Sequence, residues 1–142
     1  MDVLKIANRD AATVEQGASL SDVVARMAKD DVGAVTLIDD GRPIGIFTRR
    51  DVVRLVDEGT PMDASASGLM SSPVEVLQQG TEVSEALEQM TREHIHHLPV
   101  VDANGRIVGV IDTATALKRM VFRLTNELDS LESYFLADGA GG

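Results

Sequence analysis

The chain has 142 residues, is 44% hydrophobic and only 3% aromatic, and contains no cysteine, so it can build an aliphatic core but no disulfide or thiolate metal site. Its net charge of −10 argues against nucleic-acid or anionic-membrane partners, because both require a cationic surface. The N-terminus lacks the pattern of a signal peptide, and no apolar run reaches the roughly 18 residues of a membrane span. We therefore expect a cytoplasmic protein with neither nucleic acid nor membrane as a partner.

The first predicted helix carries apolar residues at Leu20, Val23, Val24 and Met27, with Ser19 placed as its N-cap. The Asp-Gly pair at 40–41 predicts a tight hairpin between two strands, because these residues tolerate positive φ. The predicted elements are a lead-in strand near 12–15, the helix, strands at 34–38 and 43–47, and a second helix over 49–56.

The same series of elements returns in the second half of the chain. Residues 21–56 align with residues 84–120, and Gly45 of the first copy meets Gly109 of the second. After Thr81, apolar residues repeat the helical spacing of the first predicted helix. The second copy has a lead-in strand at 74–77, strands at 98–101 and 107–111 joined by an Asn-Gly turn, a stripe of Val83, Leu87 and Met90, and a closing helix from 113.

Two copies of about 60 residues indicate a pseudo-two-fold pair, since solenoid repeats are usually shorter. Neither half alone can cover both faces of a three-stranded sheet, so we expect one compact module. The predicted divisions are repeat 1 at 1–57, a linker at 58–68, repeat 2 at 69–122, a helical extension at 123–136 and a flexible tail at 137–142.

The segment "GIFTRRD", residues 45–51, lies where a strand gives way to a helix. Thr48 is placed as the N-cap, and Asp51 three residues later completes a capping box. Such a cap satisfies free N–H groups and contributes about 1 kcal/mol. On this interpretation the motif is structural.

The same residues also suit a nucleotide. A helix N-terminus attracts phosphate, Thr48 adds a hydroxyl donor, and Arg49 and Arg50 add positive charge. Asp51 cannot bind phosphate, but a carboxylate accepts hydrogen bonds from ribose hydroxyls, as in dinucleotide-binding folds. Both interpretations stay open on these residues alone.

This Gly-x-x-Thr-x-x-Asp pattern resembles the ligand motif of CBS (cystathionine β-synthase) domains. The segment "LMSSPVEV" (69–76) resembles the family's lead into a second repeat, and "IHHLPVVD" (95–102) resembles its His-Arg-Leu-Pro-Val stretch. The doubled unit therefore resembles a tandem CBS pair, or Bateman module, over residues 1 to about 122.

The resemblance implies an α/β (α+β) fold of two β-α-β-β-α units, packed sheet to sheet about a pseudo-two-fold axis. It implies a non-catalytic signalling or energy-sensing module without a prosthetic group. The regulatory ligand would be AMP, ADP, ATP or S-adenosylmethionine, bound between the repeats. The module would form a homodimer through its CBS helices, with the C-terminal helix as a further candidate contact, and act on an unknown effector protein.

The resemblance also assigns ligand-binding residues. The family's Thr position meets phosphate and its Asp position meets ribose, and these are Thr48 and Asp51 here. Adenine would lie against the lead-in strand at Thr13 and Val14, with Ile46 nearby.

The second copy departs from the motif. Its segment 109–115 is "GVIDTAT", in which Asp112 replaces the Thr and Thr115 replaces the Asp. Asp112 still suits a helix N-cap, but its carboxylate would face a phosphate. We therefore predict one competent site per chain, at Thr48 and Asp51.

His94, His96 and His97 are the only histidines of the chain. They form a polar turn without a ligand, or His96 and His97 contact a phosphate from the opposite repeat. A phosphate neighbour would raise a histidine pKa, so affinity would weaken as the pH rises above about 6.5. A zinc site is the third interpretation, but no carboxylate lies at a ligand spacing, and we predict no metal.

The C-terminal segment continues with an a/d heptad stripe. Its basic residues precede its acidic ones, an order that opposes the helix macrodipole but suits an antiparallel helix pair. The stripe either covers the module's own core or contacts a dimer partner or effector. Its apolar residues are Leu117, Val121, Leu124, Leu128, Leu131 and Phe135.

Two other functions compete with a nucleotide sensor. The first is a ligand-independent dimerisation module in which Thr48 and Asp51 only cap a helix. The second is an enzyme, which the sequence disfavours because it has no Ser-His-Asp order, paired-carboxylate motif or Gly-rich phosphate loop.

Overall fold

The computed structural model describes residues 1–70 and 74–141 and contains two three-stranded sheets with four α-helices. Each half has the order β-α-β-β-α, as the repeat predicts. The first half comprises β1 (Thr13–Glu15), α1 (Leu20–Asp30), β2 (Ala34–Asp39), β3 (Arg42–Thr48) and α2 (Arg49–Asp57). The second half comprises β4 (Leu77–Gln78), α3 (Val83–Glu93), β5 (His97–Val101), β6 (Ile107–Asp112) and α4 (Thr113–Gly141).

The two sheets have the same topology. In each, the lead-in strand runs parallel to the central strand, which pairs antiparallel with the third strand. Both central strands carry a register shift at the same place, between Leu37 and Ile38 and between Val100 and Val101. The internal repeat is therefore present in the backbone, and the predicted α/β fold is confirmed.

The hairpin turns join the two halves. Asp40 and Gly41 adopt positive φ values of 49° and 75°, and Gly105 adopts 81° in the second hairpin, as the turn residues predict. The amide of Ile107 donates to the carbonyl of Gly41 at 2.8 Å, and Arg106 forms an ion pair with Asp40 at 3.6 Å. The tips of the two hairpins thus contact each other.

The lead-in strand of the second half is shorter than expected. The sequence predicted a strand at 74–77, but β4 contains only Leu77 and Gln78. In the observed register, residue 76 would face Pro99, which has no N–H to donate. Thr36 holds the position of Pro99 in the first half, and its backbone amide donates to the carbonyl of Ala12 at 3.0 Å.

The first helices of the two halves begin differently. Ser19 and Asp22 form a reciprocal capping box at the start of α1, whereas Thr81 does not cap α3, because its hydroxyl donates to the carbonyl of Gln78 at 2.6 Å. Helix α3 begins after Glu82, which provides no side-chain cap. The amide of Val83 donates instead to the carbonyl of Met1 at 2.9 Å.

The two halves exchange their leading segments. Val3 and Ile6, near the N-terminus, are buried in the core of the second half. Ala66, from the linker that precedes the second half, is buried in the core of the first, and Leu69 and Met70 pack against it. The predicted repeat boundaries at 57 and 69 therefore divide the sequence but not the packing units.

Helix α4 continues to Gly141, beyond the end at residue 136 that the sequence predicted. Alanine favours the helix there, and each glycine weakens a helix by only about 1 kcal/mol. None of the helices in the described ranges is both long enough and apolar enough to cross a membrane.

Candidate functional site

The GIFTRRD segment forms the predicted cap at the junction of β3 and α2. The amide of Thr48 donates to Asp51 Oδ2 at 2.9 Å, and the amide of Asp51 donates to Thr48 Oγ1 at 3.2 Å. The Thr48 hydroxyl also donates to Asp51 Oδ2, at 3.0 Å. Among the described residues no hydrogen bond reaches Asp51 Oδ1, which lies 3.9 Å from the guanidinium of Arg54, so this oxygen can still accept. The structural cap and a ribose acceptor are therefore compatible.

A cleft of about 550 Å³ lies beside this cap and is lined by both halves. Seven of the nine predicted ligand residues line it: Ile46, Thr48, Arg49, Arg50, Asp51, His96 and His97. The structure thus brings the motif of the first copy and two histidines of the second copy to one cavity.

Thr13 and Val14 do not line this cleft. They lie on β1, paired with Thr36 and Leu37. The segment that leads into the second half lines the cleft in their place, because the two halves exchange leading segments. Cleft residues that the sequence analysis did not select include Gly33, Arg54, Met70, Val74, Glu75 and His94.

Part of this lining was visible in the sequence as the family-like segment 69–76, although no ligand role was assigned to it. Within that segment, residues 71–73 lie outside the described residues. A Cβ built on Gly45 would lie 1.6 Å from Met70 Sδ. Glycine at the start of the motif therefore lets Met70 lie directly on β3 and reach the cleft.

Positive charge collects in the cleft of a chain whose net charge is −10. Arg49, Arg50 and Arg54 all line it. Arg49 pairs with Asp31 at 3.3 Å and Arg54 pairs with Glu58 at 3.4 Å, both largely exposed. Exposed pairs of this kind stabilise a protein by about 0–1 kcal/mol, so they leave the guanidinium groups available to an anionic ligand.

His97 is a partly buried titratable group of the cleft, as Asp51 is. Among the described residues its Nδ1 has no hydrogen-bond partner, and its Nε2 lies 3.6 Å from a Cβ built on Gly33. Burial lowers the pKa of His97; the carboxylate of Asp112 raises it in part, and His96 lowers it further. His97 therefore favours the neutral form in the protein without ligand.

We expect the stability of the protein to depend on pH through His97. As the pH falls below about 6.5, the unfolded chain binds a proton that the folded chain resists. The stabilisation due to neutral His97 is thus present above pH 6.5 and is lost as the pH falls through the lowered pKa. Urea unfolding of wild type should show lower stability at pH 5.5 than at pH 7.5.

The variant His97→Ala should reduce this difference, and Ala34 at the corresponding position of the first copy shows that the strand accepts alanine. An identical pH dependence in wild type and variant would contradict the assignment to His97.

The motif of the second copy also forms a helix cap. Asp112 Oδ1 accepts from the amide of Thr115 at 2.8 Å. A Cβ built on Gly109 would lie 3.0 Å from the Cβ of Ala7 and 3.1 Å from the carbonyl oxygen of Asn8, so the N-terminal segment lies against this motif.

Within the part of the chain that the structure describes, no group of three or more His, Asp or Glu side chains is placed to hold a metal ion. His94 instead ends α3 in the left-handed conformation, with φ 56°.

The fold and the motif positions agree with a comparison to known families. A family model for the CBS domain matches residues 3–58 and 66–121. The chain belongs to the CBS-domain family, as a tandem pair of CBS domains. Tandem CBS domains are regulatory modules.

Similar proteins include the uncharacterized protein MK0525 of Methanopyrus kandleri, which is 32% identical over 114 residues covering 78% of this chain and 58% of that protein. Inosine-5'-monophosphate dehydrogenase of Mycobacterium bovis is 31% identical over 94% of this chain but only 25% of the enzyme. The chain thus spans little over half of the first relative and a quarter of the second. Among solved structures, the CBS domain protein PAE2072 of Pyrobaculum aerophilum, complexed with AMP, superposes with a TM-score of 0.75 at 27% identity, covering 81% of this chain and 89% of that one.

Proposed function

We propose that this chain is a non-catalytic regulatory module that binds an adenosine-containing ligand in the cleft beside Thr48 and Asp51. The ligand class is AMP, ADP, ATP or S-adenosylmethionine, and the binding state passes to an effector protein through a homodimer. The observation that carries the proposal is that one cleft is lined by the Asp51 carboxylate, the N-terminus of α2, three arginines and three histidines. We place this function in the cytoplasm, as the sequence predicts.

Each group has a distinct role in the proposal. Asp51 Oδ1 accepts hydrogen bonds from the ribose hydroxyls, and the Thr48 hydroxyl turns from Asp51 towards a phosphate. The arginines and the N-terminus of α2 supply the positive potential. His97 gains a proton beside the phosphate, so affinity should fall as the pH rises from 6 to 8. The AMP complex of the Pyrobaculum aerophilum protein supports the ligand class.

The test is thermal unfolding of the wild-type chain with AMP, ADP, ATP, NAD and S-adenosylmethionine in turn. A ligand at 100 times its dissociation constant adds about 2.7 kcal/mol to the stability of the folded state. For a chain of this size we expect Tm to rise by roughly 5 to 10 °C. An unchanged Tm with all five compounds would contradict the proposal.

A ligand-independent dimerisation module is the second candidate, and one observation favours it. The Thr48–Asp51 capping box is formed entirely by groups of the chain itself. The Ser19–Asp22 box at the start of α1 is formed in the same way. This candidate predicts no nucleotide-dependent change in Tm. Hydrolysis of ATP by the purified chain would contradict both candidates and support an enzyme.

A further inference from the structure

The apolar stripe of α4 is left exposed by the rest of the chain. From Val121 to Ala137 every residue is exposed. The helix runs beside the N-terminal segment, and Leu131 lines an open cleft together with Ile6, but no residue of this stretch is buried. An apolar row of this length on a free helix marks an interaction surface. Its six a/d residues are between 51% and 69% exposed: Leu117, Val121, Leu124, Leu128, Leu131 and Phe135.

The positions of these six residues match a second copy of the same helix running in the opposite direction. In an antiparallel pair each a residue meets a d residue of the other helix. The stripe is symmetric about residue 126, so the pairs across a two-fold axis are Leu117 with Phe135, Val121 with Leu131, and Leu124 with Leu128. Every layer then joins an a position to a d position over about 27 Å of helix.

The charges beside the stripe select this direction. Lys118 and Glu132 both hold e positions, and e positions face each other in an antiparallel pair, so each Lys118 lies beside Glu132 of the second copy. In a parallel pair Glu127, at a g position, would lie beside Glu132 of the second copy, which is repulsive. In the antiparallel pair the two copies of Glu127 lie near each other, close to the two-fold axis. Arg123 of the same helix forms an ion pair with Glu127 at 3.3 Å and so reduces their repulsion.

We propose that α4 forms an antiparallel coiled coil with α4 of a second copy of this chain, centred on residue 126. The proposal deepens the homodimer of the proposed function by naming its contact surface, and it does not depend on nucleotide binding. The occupant of the stripe is thus a second copy rather than an effector.

The first test measures the mass of the full chain by light scattering after size exclusion. Wild type should be a dimer, and Leu124→Glu/Leu128→Glu should be a monomer with unchanged circular dichroism, since both side chains are exposed. The matched control is Val53→Glu/Val56→Glu on α2, whose valines are 68% and 57% exposed. It should stay dimeric.

A dimer lost only in the α2 variant would overturn the coiled coil while leaving a homodimer through other CBS helices. A monomeric wild type would overturn both. The rise in Tm with nucleotide is also measured on Leu124→Glu/Leu128→Glu and should persist. Loss of the nucleotide site and loss of the interface can therefore be distinguished.

The second test uses the absence of cysteine from the chain. Val121→Cys and Leu131→Cys are oxidised separately and as a mixture. In the antiparallel pair these positions meet only between copies, so the covalent dimer should form in the mixture and not in either variant alone. A covalent dimer within either single variant indicates a parallel pair and would overturn the proposal, as would the lack of any covalent dimer.

The third test reverses charges. Lys118→Glu alone should weaken the dimer in sedimentation at low salt, and Lys118→Glu/Glu132→Lys should restore it. Equal dimer stability in the single and double variants would contradict the pairing of Lys118 with Glu132.

Discussion

Asp51→Ala is expected to abolish the rise in Tm that an adenosine ligand produces in the wild-type chain. The variant removes the free Oδ1 atom and with it the bonds to the ribose hydroxyls. Hydrogen bonds to a charged group are each worth about 1.5–3 kcal/mol, so losing two of them should weaken binding by about a hundredfold or more. Thermal unfolding and calorimetric titration measure the effect.

The matched control for this variant is Asp22→Ala. Asp22 forms the same reciprocal box at the start of α1, where its Oδ2 accepts from the amide of Ser19 at 2.9 Å. Both variants should lose about 1 kcal/mol through the broken cap, but Asp22→Ala should keep the nucleotide response. Equal nucleotide responses in the two variants would mean that Asp51 is only a cap.

Phe47→Ala is expected to give the largest loss of stability. Phe47 is 2% exposed and is the largest fully buried side chain of the described residues. Truncating a buried phenylalanine costs about 3–5 kcal/mol, which for this chain corresponds to a fall in Tm of roughly 10 °C or more. Because Phe47 precedes Thr48 and lines the cleft, nucleotide affinity should fall as well.

Ile111→Ala separates these two effects. Ile111 holds the position of Phe47 in the second copy, is fully buried and precedes Asp112 instead of Thr48. Its truncation should cost about 2–5 kcal/mol, while the nucleotide affinity measured below the lowered Tm stays close to wild type. A loss of affinity as large as that of Phe47→Ala would show that binding responds to stability in general.

Local chemistry made much of the fold predictable. The turn at Asp40 and Gly41 requires residues that accept positive φ, and the capping boxes at Ser19 and Thr48 depend on residues three positions apart. The repeat then carried each element of the first half over to the second. Pro99 was equally visible, and its missing N–H accounts for the short β4 that the repeat alone did not predict.

Contacts between distant segments were not predictable in the same way. The exchange of leading segments depends on which core Val3 and Ala66 enter, and neither periodicity nor turn chemistry decides that. For this reason the sequence analysis selected Thr13 and Val14, whereas Met70 lies at the cleft. The lowered pKa of His97 likewise arises first from burial of the side chain in the folded protein, which spacing along the chain does not reveal.

The most direct measurement is calorimetric titration of wild type, Asp51→Ala and Asp22→Ala with the ligand that raises Tm. We predict one ligand bound per chain in wild type and in Asp22→Ala, and binding weakened by about a hundredfold or more in Asp51→Ala, since the first copy alone has the Thr and Asp of the motif. Two ligands per chain, or undiminished binding by Asp51→Ala, would contradict a single site at Thr48 and Asp51.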